Sequence, residues 1–157
     1  MQRSVEIDAG QFVLTRLGDG EEDLVLTRSV MASGLFIPLH SHADIESLSV
    51  VAGSLDVYLG DERCWFTIRS GESIVVPPGV EHAIRNVDEE PAEVLALMTV
   101  KLAEFVRQLG AVAAAAPRHR TRDERMHSLC RLADDYGYWL APASQSDALR
   151  HLPAAAA

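Results

Sequence analysis

The sequence predicts an all-β fold, an antiparallel sandwich or barrel, carrying a short helical C-terminal extension. Three observations predict it. Between about Gln11 and Val100, eight short apolar-rich runs are separated by Gly, Asp, Glu or Pro clusters at fairly regular spacing. After Val100 the apolar period lengthens to that of a helix. The 157 residues, 48% apolar and 24% charged, make one domain's worth of chain with a single core.

The strands are expected in "QFVLTR", "DLVLTRSVMAS", "ESLSVV", "SLDVYLG", "CWFTIR", "SIVVP", "EHAIRNV" and "EVLALMTV". Gly53 and the "GDE" at 60–62 read as hairpin turns, and Pro78-Gly79 suits a type II turn in which glycine supplies the positive φ. Beyond the barrel, expected at 1–100, lies the extension, expected at 101–157. "KLAEFVRQLG" reads as an amphipathic helix that Gly110 ends, and the Ala-rich "AVAAAAP" as a connector. Thr121 and Glu124 form a capping box at the start of a second helix, in which Met126, Leu129, Leu132 and Tyr136 follow at helical spacing. Gly137 stops that helix, "YGYWLAP" follows as a short apolar segment, and the Ala-rich end is expected to fray.

Composition narrows the function classes. No apolar run approaches the roughly 20 residues of a membrane span, and "MQRSVEIDAG" lacks the apolar core of a secretory signal, so the cytoplasm is the expected compartment. Cys64 and Cys130 stand far apart and are expected as reduced thiols, Cys64 as a small buried hydrophobe. The net charge of −9 divides into −11 over residues 1–100 and +2 over 101–157. An acidic body repels a phosphate backbone, so nucleic acid is not an expected partner. The basic "RHRTRDER" reads as a solvated helix face.

One stretch resists a purely structural account. "GLFIPLHSHADIESLSVVAG" puts two histidines and a glutamate within seven positions of a strand-like run. Residues two apart in a strand share a face, so His40 and His42 point the same way, and Glu46 joins them if the pleat survives Ala43–Ile45. Two imidazoles and a carboxylate on one face suit a divalent first-row metal, with His82 of "PPGVEH" the natural fourth ligand.

These residues resemble the cupin family. Gly34, His40, His42, Glu46 and Gly53 reproduce its first motif, G-x5-H-x-H-x3-E-x6-G. Gly71, Pro77, Gly79, His82 and Asn86 reproduce its second, G-x5-P-x-G-x2-H-x3-N, after 17 intervening residues. The resemblance implies a cupin-type jelly-roll β-barrel over about residues 10–100, with one metal ion held inside by His40, His42, Glu46 and His82. The layout of the tail is similar to that of small bacterial cupins, including some quercetinase-like dioxygenases.

Three functions fit that site. The first is a mononuclear non-haem oxygenase using Fe(II), Mn, Ni or Co, in which open metal positions take substrate and dioxygen and Glu46 serves as a base. The second is a non-redox isomerase, cyclase or lyase using the metal, Zn included, as a Lewis acid. The third is a metal-anchored binding protein without turnover. If parity holds, Phe36, Pro38, Leu48, Val50 and Ile84 share the ligands' face, making an apolar pocket for a small aromatic or aliphatic substrate with one chelating group. Ser49 stands where many relatives carry an aromatic residue. Arg85, of opposite parity to His82, is expected at the surface. One of Trp65 and Phe66 should face inward. Tyr138 and Trp139 either lid the barrel mouth or cover its outside, where an apolar outer face and open edges also make a homodimer the expected assembly. His119, His127 and His151 have no ligand spacing and read as surface residues.

Overall fold

The computed structural model describes residues 13–17, 23–115 and 121–154. Two five-stranded antiparallel sheets face one another. The first has the order β1 (Val13–Leu17), β2 (Leu24–Met31), β9 (Ala92–Thr99), β4 (Glu46–Ala52) and β7 (Ser73–Val76). The second has β10 (Trp139–Leu140), β3 (Phe36–Ser41), β8 (His82–Arg85), β5 (Ser54–Leu59) and β6 (Cys64–Arg69). Strict alternation drives this arrangement. In β9, Ala92, Val94, Ala96 and Met98 are buried while the intervening residues are half-exposed. With Val25, Leu48, Val50, Leu55, Val57 and Ile84 they fill the space between the sheets.

The turns partly follow the expected chemistry. Val80 donates its N–H to the carbonyl of Pro77 across Pro78-Gly79, and Gly79 has φ 79°, as a type II turn requires. Gly53 is not a hairpin turn. With φ 80° it carries the chain from one sheet to the other, where a Cβ would stand 3.1 Å from the backbone of Ala92. The β5–β6 hairpin does turn at 60–63, but Arg63, not Gly60, takes the left-handed conformation, with φ 54°.

The extension departs further from expectation. Helix α1 runs from Val100 to Ala115, straight through Gly110. Alanine has the highest helix propensity, so "AVAAA" continues the helix, and the roughly 1 kcal/mol that an internal glycine costs does not stop it. Residues 116–120, with His119, lie outside the described residues. Helix α2 (Arg122–Tyr136) has the reciprocal Thr121/Glu124 capping box and stops at Gly137, φ 70°. A third helix, α3 (Ala143–Arg150), was not expected.

These tail elements cover a strand edge. Trp139 and Leu140 pair with Ser41 and His40 of β3. The N–H of Leu39 donates to the buried hydroxyl of Ser146, and its carbonyl accepts from Ala141. Behind them, Leu39, Tyr58, Trp65 and Ala83 form a second apolar cluster, and the Trp65 indole donates to the carbonyl of Leu149.

Arg85 is not a surface residue. It is 6% exposed, pairs with buried Asp56 at 2.9 Å and stacks 4.1 Å from the Trp65 ring. Its remaining donors reach the carbonyls of Arg150 and Leu152 at 2.8 and 2.7 Å. The acid-paired guanidinium thereby clasps the end of α3 to the sheet. Replacing Arg85 by alanine leaves Asp56 buried with a hydroxyl partner, Thr67, and no cation. The expected loss is about 3–5 kcal/mol in urea unfolding. Faster proteolysis after Pro142 should accompany it.

Candidate metal centre

The site is assembled from both sheets. His40 lies on β3 directly opposite His82 of β8, and His42 follows just beyond the strand. Glu46 opens β4 in the facing sheet, on the same inward face as Leu48 and Val50, so its parity with them is intact. The Pro77–Val80 turn docks on this corner, with Gly79 donating to the carbonyl of His42 at 2.7 Å. Asn86 braces the opposite end of β8, its side-chain amide donating to the carbonyls of Met31 and Glu90.

Each imidazole is oriented by the backbone two residues away. His40 Nδ1 lies 2.7 Å from the carbonyl of Pro38, His42 Nδ1 2.9 Å from that of Asp44, and His82 Nδ1 2.9 Å from that of Val80. A carbonyl oxygen only accepts, so Nδ1 carries the proton in each ring. In the neutral imidazole the Nε2 lone pair is then free. The ligand nitrogens of the three rings lie within 4.8 Å of one another. Nε2 of His42 and of His82 is buried without a hydrogen-bond partner. The nearest polar atom, Glu46 Oε2, is 3.5 and 3.4 Å away, long for a hydrogen bond.

Three converging lone pairs and a carboxylate oxygen form a cluster of acceptors that wants a cation. Protons fill that role poorly. Desolvation, reinforced by the neighbouring His82, pulls the His40 pKa down to about 3. Burial alone would raise the Glu46 carboxyl, but the imidazoles of His42 and His82 beside it outweigh burial and hold it below the usual carboxylate range. Among the described residues His40, His42 and His82 are the group that could hold a metal ion, and the two partnerless Nε2 atoms fit such an ion.

A residue outside both histidine motifs completes the site. The Tyr138 ring lies 5.4 Å from that of His42, and its hydroxyl donates to Asp44 Oδ2 at 2.7 Å. Thr99 donates to the other carboxylate oxygen of Asp44 and accepts from the N–H of Leu102 at the start of α1. Burial and the bond to Asp44 push the Tyr138 phenol up. Of the two aromatic residues expected to lid the mouth or cover the outside, Tyr138 thus faces the site, whereas Trp139 is 40% exposed. The aromatic signal of "YGYW" was legible in sequence, but not its contact with His42.

Beside His40 is an apolar cavity of about 230 Å³ between β3 and the C-terminal helices. Phe36 and Pro38 line it, but Leu48, Val50 and Ile84 do not: all three are buried in the closed core. The parity that grouped Phe36 with them fails at a β-bulge between Ile37 and His40. Ile37 therefore packs toward the core, and Phe36 toward the Leu39–Trp65 cluster on the other side. A larger open groove of about 610 Å³ lies on the sheet's outer face, with Asp56, Thr67 and Arg85, turned away from the imidazoles. Cys64 is half-buried, and His127 and His151 are exposed.

The His40 shift has a sign that can be checked in metal-free protein. Below pH 6.5 the unfolded chain binds a proton at this residue that the folded chain refuses, so stability falls as pH drops from 6.5 toward 3. Glu46, lowered as well, adds to the loss at more acidic pH. Urea unfolding after chelator treatment should show about 1.4 kcal/mol less stability near pH 5.5 than near pH 7.5 on account of His40, one pKa unit's worth. His40→Gln should flatten that slope; an unchanged slope would contradict the lowered pKa of this imidazole.

Comparison with known proteins agrees with this geometry. Residues 27–98 match the Cupin_2 family, described as a cupin domain. Similar solved structures include the Cnp3 cupin domain of Schizosaccharomyces pombe (18% identity, TM-score 0.48, covering 62% of this chain and 70% of that one). Another is the DMSP lyase DddQ of Ruegeria pomeroyi DSS-3 (24%, TM-score 0.47, 62% of this chain and 51% of that one). A third is a Cupin 2 conserved barrel domain protein of Salinispora arenicola CNS-205 (18%, TM-score 0.46, 63% and 81%). No curated protein matches the chain. With two facing antiparallel sheets and an inward histidine cluster on the matched segment, residues 27–98 form a cupin domain.

Proposed function

We propose that this chain is a metal-dependent enzyme, a mononuclear non-haem oxygenase acting on a small aromatic or apolar substrate with one chelating group. The observation that carries the proposal is the set of Nε2 lone pairs, oriented by backbone carbonyls and aimed at one point beside Glu46. His40, His42, His82 and Glu46 are the residues that hold the metal. When bound, a redox-active ion there supplies positions at which a chelating substrate and dioxygen meet. Glu46, beside the imidazoles of His42 and His82, is the carboxylate placed to take a proton from the bound substrate. The cavity beside His40 receives the substrate's apolar body and keeps water from it.

A second reading is favoured by one particular contact. The Tyr138–Asp44 pair next to His42 is a hydrogen-bonded proton carrier that needs no dioxygen. It suits a lyase, isomerase or cyclase in which the metal, Zn among the candidates, acts as a Lewis acid. In either reading the protein works as a homodimer, and the exposed Val30, Val51 and Val75 on β2, β4 and β7 offer apolar surface for the contact.

Elemental analysis of untagged protein purified without added metal should find close to one Fe, Mn, Ni or Co per chain. His42→Ala should retain less than about a tenth of it, since it removes one of the imidazoles that hold the ion. Fe(II)-loaded protein should then consume dioxygen with catechol as the chelating probe. Anaerobic turnover by Zn-loaded protein would transfer the assignment to Lewis-acid chemistry. Wild type that takes up none of these ions on reconstitution would sink both readings.

A further inference from the structure

The cavity beside His40 has two walls of different origin. One is β3, within the segment that matches the cupin domain, residues 27–98. The other is built from Phe105 and Leu109 of α1, Leu129 and Ala133 of α2, Tyr138, and the two residues of β10, all of them outside that segment. In the barrel interior Leu48, Val50 and Ile84, each no more than 2% exposed, are packed in the core. The histidines and the surface that would meet a substrate's body therefore come from different parts of the chain.

We propose that α1 and α2 are the specificity-determining wall of the site, and that they select a ligand of one aromatic ring with a short unbranched substituent. The proposal rests on the metal-centre reading above. Size sets the upper limit. An apolar cavity of about 150 Å³ holds benzene, so about 230 Å³ accommodates one ring and a few further carbons. Polarity sets the orientation. The Tyr138 hydroxyl is taken by Asp44, and Phe105, Leu109, Leu129 and Ala133 have no polar side-chain atom. The lining side chains that keep a polar atom are then His40 and the part-exposed Trp139, and of these His40 belongs to the histidine cluster, so a chelating end points to it and the apolar end lies against the helices. Buried Ala133 marks where a longer side chain would take up ligand space, and half-buried Leu109 where a shorter one would add to it.

The test titrates phenol, 4-ethylphenol and 4-butylphenol into metal-free protein, following the methyl NMR signals of Leu35 and Leu129. It then repeats the series with catechol, 4-ethylcatechol and 4-butylcatechol on Co(II)-loaded protein, following the visible cobalt bands. Leu109→Ala should tighten the butyl member at least about fivefold relative to the unsubstituted one, and Ala133→Leu should weaken the ethyl member at least about tenfold. Both variants should keep the wild-type metal stoichiometry. Equal affinities for wild type and both variants, or shifts confined to the methyls of Leu48 and Val50, would overturn the proposal. If Ala133→Leu does not fold, Leu109→Ala decides by itself. Failure of cobalt to bind, with the phenol series intact, would count against the metal centre and not against the helical wall.

Discussion

Three Nδ1–H groups donate to three backbone carbonyls, those of Pro38, Asp44 and Val80, and much of this molecule is organised so that they can. A histidine whose Nδ1 proton is engaged in this way presents an unprotonated Nε2, and here the three Nε2 atoms face inward beside a carboxylate. Each carbonyl is itself held in place. The bulge in β3 sets Pro38, and Asp44 sits in a loop tied to α1 through Thr99. Val80 ends a type II turn that rests on the carbonyl of His42. Turn, bulge and loop converge on one electronic arrangement, a nest of acceptors that calls for a cation.

The C-terminal segment is part of this construction. β10 pairs with the same strand that carries His40, and Ser146 satisfies a β3 amide that would otherwise form an open edge. Arg85 joins barrel and tail from the outer face, where a buried acid, an indole ring and two tail carbonyls share one guanidinium. Tyr138 does the same from the inner side, through Asp44 and the ring of His42. The tail is thus tied to the barrel on both faces of the second sheet, and residues of α1 and α2 border the space beside His40.

Much of the site was legible in the sequence. The two-residue alternation of a strand put His40 and His42 on one face, and the resemblance to the cupin motifs added Glu46 and His82 to them. The capping box at Thr121 and the stop at Gly137 are equally local, since they depend on a few residues of backbone chemistry, and both are present. The same alternation misled at Phe36, because one extra residue in a bulge reverses parity and leaves no mark in the hydrophobic pattern. It placed Arg85 at the surface for a related reason: an outward-facing side chain is solvent-exposed only if nothing covers it, and the cover is about 65 residues away in α3.

Residue types and short-range periodicity thus sufficed for the shared face of His40 and His42, the alternation of burial along β9 and the cap at Thr121, because each is an interaction between neighbours a few positions apart. Burial of Arg85, the covered edge of β3 and the apolar space beside His40 came only with the folded chain. Those features arise where segments distant in sequence press together. The free energy that settles them, buried area and satisfied polar groups, belongs to the contact and not to either segment by itself.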